Sequence, residues 1–503
     1  MFQAPDIATL NLEVTLPVVF LALFTTILLL VDLFIPKDRK IRTAQLSAAA
    51  LVVTFILNLF TFDANETALY GMYVADRFTG FVNIVILVTA FISLLLSVDY
   101  LKRTNIESGE FYSLLLFSVT GMMFMASAND LIIVFIALEL LSIPLYVMSA
   151  IRPKDTRSEE SGMKYFILGA FASAFLVYGS ALVYGATGTT NLPEIFIAIE
   201  SIVAESSASI LYLLVGAALI IVGLGFKVAV VPFHMWTPDV YDGAPTPVTA
   251  FMSVGAKAGG FAALLRIMVI ALPAFVINEG DTNTGWQTAV WLVSALTLIL
   301  GNFVAISQIN VKRLLAYSSI AHGGYILMAV AAIGTTGLAE RGTEAALVYM
   351  MAYMFTNLGA FAVVLALEKD DASPVMLDDF IGLGQRNPGL AAMMAFFMLS
   401  LTGIPMTAGF IGKFLVFGAT VDAGLIPLTI IGVLTSVVSA FYYVRVIVNM
   451  YLREGDGAPV TGATGYVMAA VYTGFAGTFI LGVLPFLVTD LLNGGVMAAA
   501  GLF

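Results

Sequence analysis

The chain has 503 residues, 60% of them hydrophobic and 11% charged, with a formal net charge of −11. Soluble domains carry about a quarter charged residues, so this balance points to a lipid solvent. No cysteine is present, which excludes disulfides, thiolate catalysis, zinc–cysteine sites and cysteine-ligated iron–sulfur clusters.

In chain order, fourteen mostly apolar runs have the length, about 20 residues, that crosses a hydrocarbon core of about 30 Å. They fall at 12–35, 43–62, 78–98, 112–127, 130–150, 161–187, 209–232, 246–271, 286–307, 312–334, 344–368, 390–419, 425–451 and 465–490, the fourth and fifth being nearly fused. An all-α, polytopic membrane bundle is the expected fold. The first run is too long for a signal-peptide core and no basic residue precedes it, so it reads as the first helix of the mature protein.

Lysine and arginine in the connecting loops set the orientation. Lys37, Arg39, Lys40 and Arg42, then Lys102 and Arg103, Arg152, Lys154 and Arg157, Lys312 and Arg313, Lys369 and Arg386, and Arg453 all fall on one side. Only Arg77 and Arg341 fall on the other. The asymmetry supports an even number of crossings with both termini on the outer, non-cytoplasmic side. The acids are spread over short loops (Asp63–Glu66, Glu159–Glu160, Glu279–Asp281, Asp370–Asp379), and no basic patch suits nucleic acid. Between runs seven and eight, the proline- and aromatic-rich stretch from Pro232 to Pro247 predicts a short interfacial turn.

Removing the loop positions leaves Lys164, Lys227, Lys257, Lys413 and Arg445 within runs, with Arg266 near the end of run eight. Glu139 lies nine residues beyond Asp130, so about 14 Å deep at the α-helical rise. A charge at a helix centre costs roughly 2.5–3.5 kcal/mol on insertion scales, so these groups must face protein or water and pair. They are open to two readings: ion pairs that pin helices together, or titratable stations for protons. A desolvated amine gives up its proton more readily and a nearby carboxylate retains it, so a lysine with a movable acidic partner can hold or release a proton. Arginine cannot, and the preference for lysine favours proton handling. Arg266 and Arg445 read as snorkelling or structural.

Helix breakers sit beside two of the lysines. Gly223 and Gly225 precede Lys227 and Pro232 follows it; Gly403, Pro405, Gly409 and Gly412 precede Lys413. Helices unwound at depth are tolerated only beside protein or a water-filled cavity, and paired breaks mark inverted-repeat transporters. A shift of 186 residues superposes Lys227 on Lys413; it carries Glu139 to Tyr325, near His322, and Lys257 to Tyr443, near Arg445. Two five-helix units would then carry polar groups at comparable places. His234 sits at the first break, and His322 is open to either a structural or a relay role.

The string from Gly225 through Phe226, Lys227, Pro232, Phe233, His234, Met235, Trp236, Thr237, Pro238 and Asp239 to Gly255, Ala256 and Lys257 closely resembles subunit N of the proton-pumping NADH:quinone oxidoreductase, respiratory complex I. Leu138–Tyr146, Lys312–Ser319 and Gly409–Phe414 resemble the same family, and the likeness covers nearly the whole chain. It implies three N-terminal helices (1–111), two inverted five-helix repeats (112–271 and 286–452) with broken helices seven and twelve, and a fourteenth helix (465–503). It implies that Glu139 pairs with Lys227, that Lys257 connects two half-channels and that Lys413 faces the exit side. His322 would lie on that polar axis, with Lys164 and His234 in support. The subunit would carry no cofactor. Flavin, iron–sulfur clusters and quinone would belong to partner subunits, and sister antiporter-like subunits would flank it in a bacterial inner membrane. The enzyme would be a translocase of which this is a non-redox part. A cation/proton antiporter without redox chemistry, and a purely structural membrane subunit, remain open as rivals.

Overall fold

A computed structural model describes residues 10–204, 209–272, 285–369, 373–455, 460 and 462–492. The acidic positions 279–281 and 370–372 lie outside the described residues. The chain opens with α1 (Leu16–Asp32), α2 (Ile41–Phe60), α3 (Arg77–Arg103), α4 (Gly109–Ser127), α5 (Leu131–Ser149) and α6 (Thr156–Thr187). A short α7 (Leu192–Ala204) precedes α8 (Ser209–Lys227) and α9 (Thr237–Gly243). The next span is assembled from α10 (Thr246–Phe251), a π turn (Met252–Ala256), α11 (Lys257–Arg266) and a second π turn (Ile267–Ala271). Then follow α12 (Gln287–Ile306), α13 (Val311–Ile333), α14 (Ala339–Leu367), the single-turn α15 (Leu383–Arg386), α16 (Pro388–Thr402), α17 (Ala408–Asp422), α18 (Ile426–Leu452), α19 (Gly465–Val483) and α20 (Phe486–Leu492).

Thirteen helical segments among the described residues are long and apolar enough to cross a membrane. The fourteenth crossing is made by α16 and α17, fifteen residues each, separated at 403–407. All fourteen expected runs are therefore found, with four differences. Runs four and five are separated by an extended Ala128 and by Asp130, whose carboxylate N-caps α5 through Ile132 N. Run seven ends at Lys227 rather than continuing to Pro232, run twelve is two helices as its expected break requires, though with Thr402 ending the first of them, and run fourteen breaks before α20. A small hairpin, β1 (Glu66–Ala68) with β2 (Tyr73–Ala75), covers one end of the bundle, and neither it nor α7 was expected.

Association in lipid rests on close packing and on polar contacts rather than on apolar burial. Gly179 of α6 and Gly216 of α8 show why small residues are needed: a Cβ on either would come within 2.7–2.9 Å of the other's carbonyl oxygen. The sharpest backbone clash is at Gly409, where a Cβ would stand 1.9 Å from the Ser400 carbonyl oxygen across the α16–α17 break. Gly409→Ala is expected to destabilise the protein by about 1–3 kcal/mol, the usual cost of overpacking. A lower melting temperature of the detergent-solubilised protein checks it.

The residues from 232 to 247 form no interfacial turn. Trp236, Val240, Tyr241 and Ala244 are buried, and α9 packs between α6 and α13. Several loop cations are folded in with it. Arg152 donates to Gly243 O (2.8 Å) and Lys312 Nζ to Ala244 O (2.6 Å), so both neutralise the carbonyl end of α9. Lys40 does the same for α1, bonding Asp32 O (3.0 Å) and the Asp32 carboxylate (2.6 Å). The loops that carry Arg152 and Lys312, assigned to one side by the charge rule, thus meet at the end of α9.

Candidate functional site: a buried row of amines

Lys227 ends α8, and its ammonium is 2% exposed at the residue level. Nζ donates to Ser142 Oγ (2.9 Å) and Tyr165 OH (3.0 Å) and lies 5.1 Å from the Tyr165 ring centre. Trp236 stacks on Tyr165 (4.5 Å, 6°), and its indole N–H returns to Phe226 O (3.0 Å). The stretch after the break therefore doubles back to cap α8 and to wall the lysine.

Glu139 lies one helical turn before Ser142 on α5, half-buried, and its Oε1 accepts from Ser173 Oγ. It makes no ion pair with Lys227 in this structure. Glu139 is held by Ser173 and Lys227 by Ser142 and Tyr165, and the acid lies within electrostatic reach of the amine without direct contact.

The first amine leads to the second through backbone contact. Gly260, one turn past Lys257, lies against Lys227: a Cβ there would be 3.4 Å from Lys227 Cγ. A Cβ on Gly323 would sit 3.4 Å from Val228 O and 3.9 Å from Lys257 Nζ. Lys257 follows the first π turn directly, a device that recurs at functional sites. Its Nζ donates to Ser319 O (2.5 Å). A cavity with room for about one water is lined by Lys257, Ser319, His322, Gly323 and Tyr353.

His322 opens onto a second cavity of similar size, shared with Tyr353, Thr356, Ser400 and Gly409. Its Nδ1 meets Tyr349 OH (2.7 Å) and its Nε2 meets Tyr443 OH (3.2 Å), which continues to Ser318 Oγ (2.5 Å). Lys413 lies beyond. Its Nζ donates to Leu401 O (3.0 Å), Thr402 O (2.9 Å) and Ser436 Oγ (2.8 Å), 4.8 Å from the Tyr325 ring centre. Those two carbonyls are freed by the end of α16, so the break itself supplies the acceptors for the third amine.

Lys227, Lys257, His322 and Lys413 are thus brought together, with Glu139 at one end. The other predicted groups are not part of the row. Lys164 is 40% exposed in the third turn of α6 and bonded to Glu160 and Asp239 at 2.6 Å each, so it is paired outside the row. Asp239 also binds Arg313 (2.7 Å). Burial raises the Asp239 carboxyl, but the bonds from Lys164 and Arg313 outweigh it and hold the group below its ordinary value. A carboxyl so lowered contributes stability that is present above the usual carboxylate range and is lost as pH falls through the folded value. Asp239→Asn is therefore expected to reduce stability by less than about 1 kcal/mol at neutral pH, the effect disappearing in acid. Thermal melts of both proteins across pH 3–7, a range set by the reference carboxylate pKa of about 3.9, check this.

His234 lies at the break with its Nδ1 unbonded, half-buried and apart from the row. Burial lowers its pKa. Arg266 does not snorkel; it is fully buried and bonded to Asp76. Arg445 donates to Ile306 O (2.9 Å) and Gln308 O (2.5 Å), capping α12.

Sequence reasoning missed the hydroxyl groups bonded to the row, those of Ser142, Tyr165, Tyr349, Tyr443 and Ser436. One signal existed. The shift of 186 residues lands on Tyr325 and Tyr443, and both touch this site.

Fourteen crossings, two of them interrupted, around a row of buried amines define an antiporter-like membrane subunit. The family model described as "NADH:quinone oxidoreductase/Mrp antiporter, TM" matches residues 128–439. An NADH-quinone oxidoreductase subunit N of Trichlorobacter lovleyi is 44% identical over 479 residues, 95% of each chain. A chain of respiratory complex I from Thermus thermophilus superposes with a TM-score of 0.78 at 33% identity, covering 96% of this chain and 99% of that one. A chain of the Mrp complex from Dietzia sp. shares the fold, with a TM-score of 0.80 at 21% identity over 98% of both chains. The chain belongs to the subunit N family of NADH-quinone oxidoreductases.

Proposed function

We propose that this chain is the non-redox, proton-translocating subunit N of an NADH:quinone oxidoreductase. In this reading it moves protons along Glu139, Lys227, Lys257, His322 and Lys413. The observation that carries the reading is that Lys257, His322 and the α16–α17 break share two adjoining water-sized cavities, where a structural ion-pair role needs none. Five-helix units at 112–271 and 286–452 would be inverted repeats, each contributing one broken helix. Both termini would face the outer side of a bacterial inner membrane, and sister antiporter-like subunits would flank the chain. Flavin, iron–sulfur clusters and quinone would reside in partners; among the described residues no cluster of three or more His, Asp or Glu could hold a metal.

Quinone reduction elsewhere would change the Glu139–Lys227 separation. Lys227 then loses its stabilising partner, its proton passes to Lys257, and from there by way of His322 to Lys413 and out. Such coupling must act by favouring one of two states over the other. The test is Lys257→Ala in the native complex, purified and reconstituted in vesicles. Protons moved per electron should fall while NADH–quinone electron transfer persists. An unchanged proton yield rejects the row as the conduit.

A further inference from the structure

The row needs a supply of protons from the basic side, and one buried acid outside it is placed to provide it. Glu368 caps the C-terminal end of α14 and is 3% exposed, beside the exposed Lys369. Among the described residues its Oε2 has no hydrogen-bond partner. A buried, unsatisfied carboxylate oxygen costs stability and calls for a reason beyond packing. Glu368 lies within electrostatic reach of two other buried polar groups, the phenol of Tyr100 and the ammonium of Lys312. Lys312 is not tied to it by a direct bond, since its Nζ donates to Ala244 O.

Three further observations define a line through this acid. Outward, Tyr100 lines an open cleft of about 390 Å³ at the basic end, together with Asp99, Lys102, Arg103 and Leu365. Inward, Lys312 and Ser319 lie on one face of α13, seven residues or about 10.5 Å apart. Around Ser319 the hydroxyls of Tyr241 and Tyr353 and of Ser319 itself are buried without a hydrogen-bond partner among the described residues. Tyr353 and Ser319 line the Lys257 cavity. A cleft, a buried acid, an amine and a group of hydroxyls thus lie between the basic face and the middle amine. A hydroxyl can accept one proton and pass on another, which an apolar wall cannot.

We infer that Glu368 is the proton-uptake residue that feeds Lys257 from the basic side. The inference rests on the proton-conduit reading above. Ionised Glu368 takes a proton from water in the cleft. The neutral acid releases it into the Tyr241–Ser319–Tyr353 hydroxyls, each of which accepts one proton and donates one. Neutral Lys257 amine ends as ammonium and Glu368 is restored as carboxylate, so charge and protons balance. Lys312 is a positioning residue within electrostatic reach of Glu368.

The experiment uses the whole complex, reconstituted in vesicles, with E368Q, Y353F, Y241F and K257A measured side by side for protons moved per electron and for quinone reduction. E368Q is expected to lose as much proton yield as K257A, E368D to recover part of it, and the two phenol deletions to show an intermediate loss. Because each phenylalanine removes one oxygen atom from a packed ring, those variants report on the route even if E368Q fails to assemble. Full proton yield in E368Q, or in both phenol variants, while K257A is impaired overturns the uptake route and leaves the conduit standing. Full yield in K257A as well overturns both.

Discussion

Alanine at Arg266 is expected to cost about 3–5 kcal/mol, the penalty for breaking a buried ion pair by removing one partner. The guanidinium is fully buried. Its Nη2 meets Asp76 Oδ1 at 2.7 Å and its Nη1 meets Oδ2 at 3.1 Å, a two-pronged contact. Nε donates to Ala126 O (2.7 Å), Nη2 also to Thr79 Oγ1 (2.6 Å), and the group lies 4.7 Å from the Phe78 ring centre. Asp76 in turn N-caps α3 through Thr79 N (2.8 Å). One side chain therefore ties the start of α3, the end of α4 and the end of α11. Removing it strands a carboxylate and a helix-end carbonyl in a water-poor site. The measurement is the amount of assembled subunit in membranes and its melting temperature in detergent. The pair Arg266→Met with Asp76→Asn should recover much of the loss, because no lone charge is left behind. A melting temperature in Arg266→Ala indistinguishable from that of the unaltered protein contradicts this account.

That clamp shows where sequence reasoning stops. Fourteen apolar runs are legible because a 20-residue stretch without charge has few alternatives, and loop cations add an independent check on the count. Arg266 was visible as a charge near a span's end, but nothing local points from it to Asp76, 190 residues away. Lys164 was visible as a charge within a run, but its partner Asp239, 75 residues away, was not. The two breaks were legible from proline and glycine, yet their consequences were not. Trp236 folding back on Tyr165, and α16 ending so that its carbonyls receive Lys413, are tertiary facts. Ser142 was within reach, since it stands three residues after Glu139 and so on the same helical face. Hydroxyls in membrane helices usually bond their own i−4 carbonyl, as Ser142 also does to Leu138 O (2.5 Å), which hides those with a second role.

At Lys227 the two physical readings of the row separate most sharply, and they separate through arginine rather than alanine. Lys227→Ala is expected to abolish this subunit's share of proton movement, but a helix pin would also fail in that variant, by leaving Ser142 and Tyr165 unsatisfied. Lys227→Arg keeps the positive charge and its donors to Ser142 Oγ and Tyr165 OH, and a guanidinium does not give up its proton in a protein. If the ammonium only holds α8 to α5 and α6, arginine should serve, with at most about 1–3 kcal/mol lost to overpacking. If the amine must become neutral once in each cycle, arginine should block transfer as completely as alanine while the complex still assembles and reduces quinone. The expected result is the second: normal assembly, continued electron transfer, and protons per electron as low as in Lys227→Ala. Glu139→Gln should fall between the unaltered protein and Lys227→Ala, because the acid acts on the amine across space rather than through a direct bond. Full pumping by the arginine protein removes the need for a titrating group at this position, and with it the chemical reason for choosing lysine in the row.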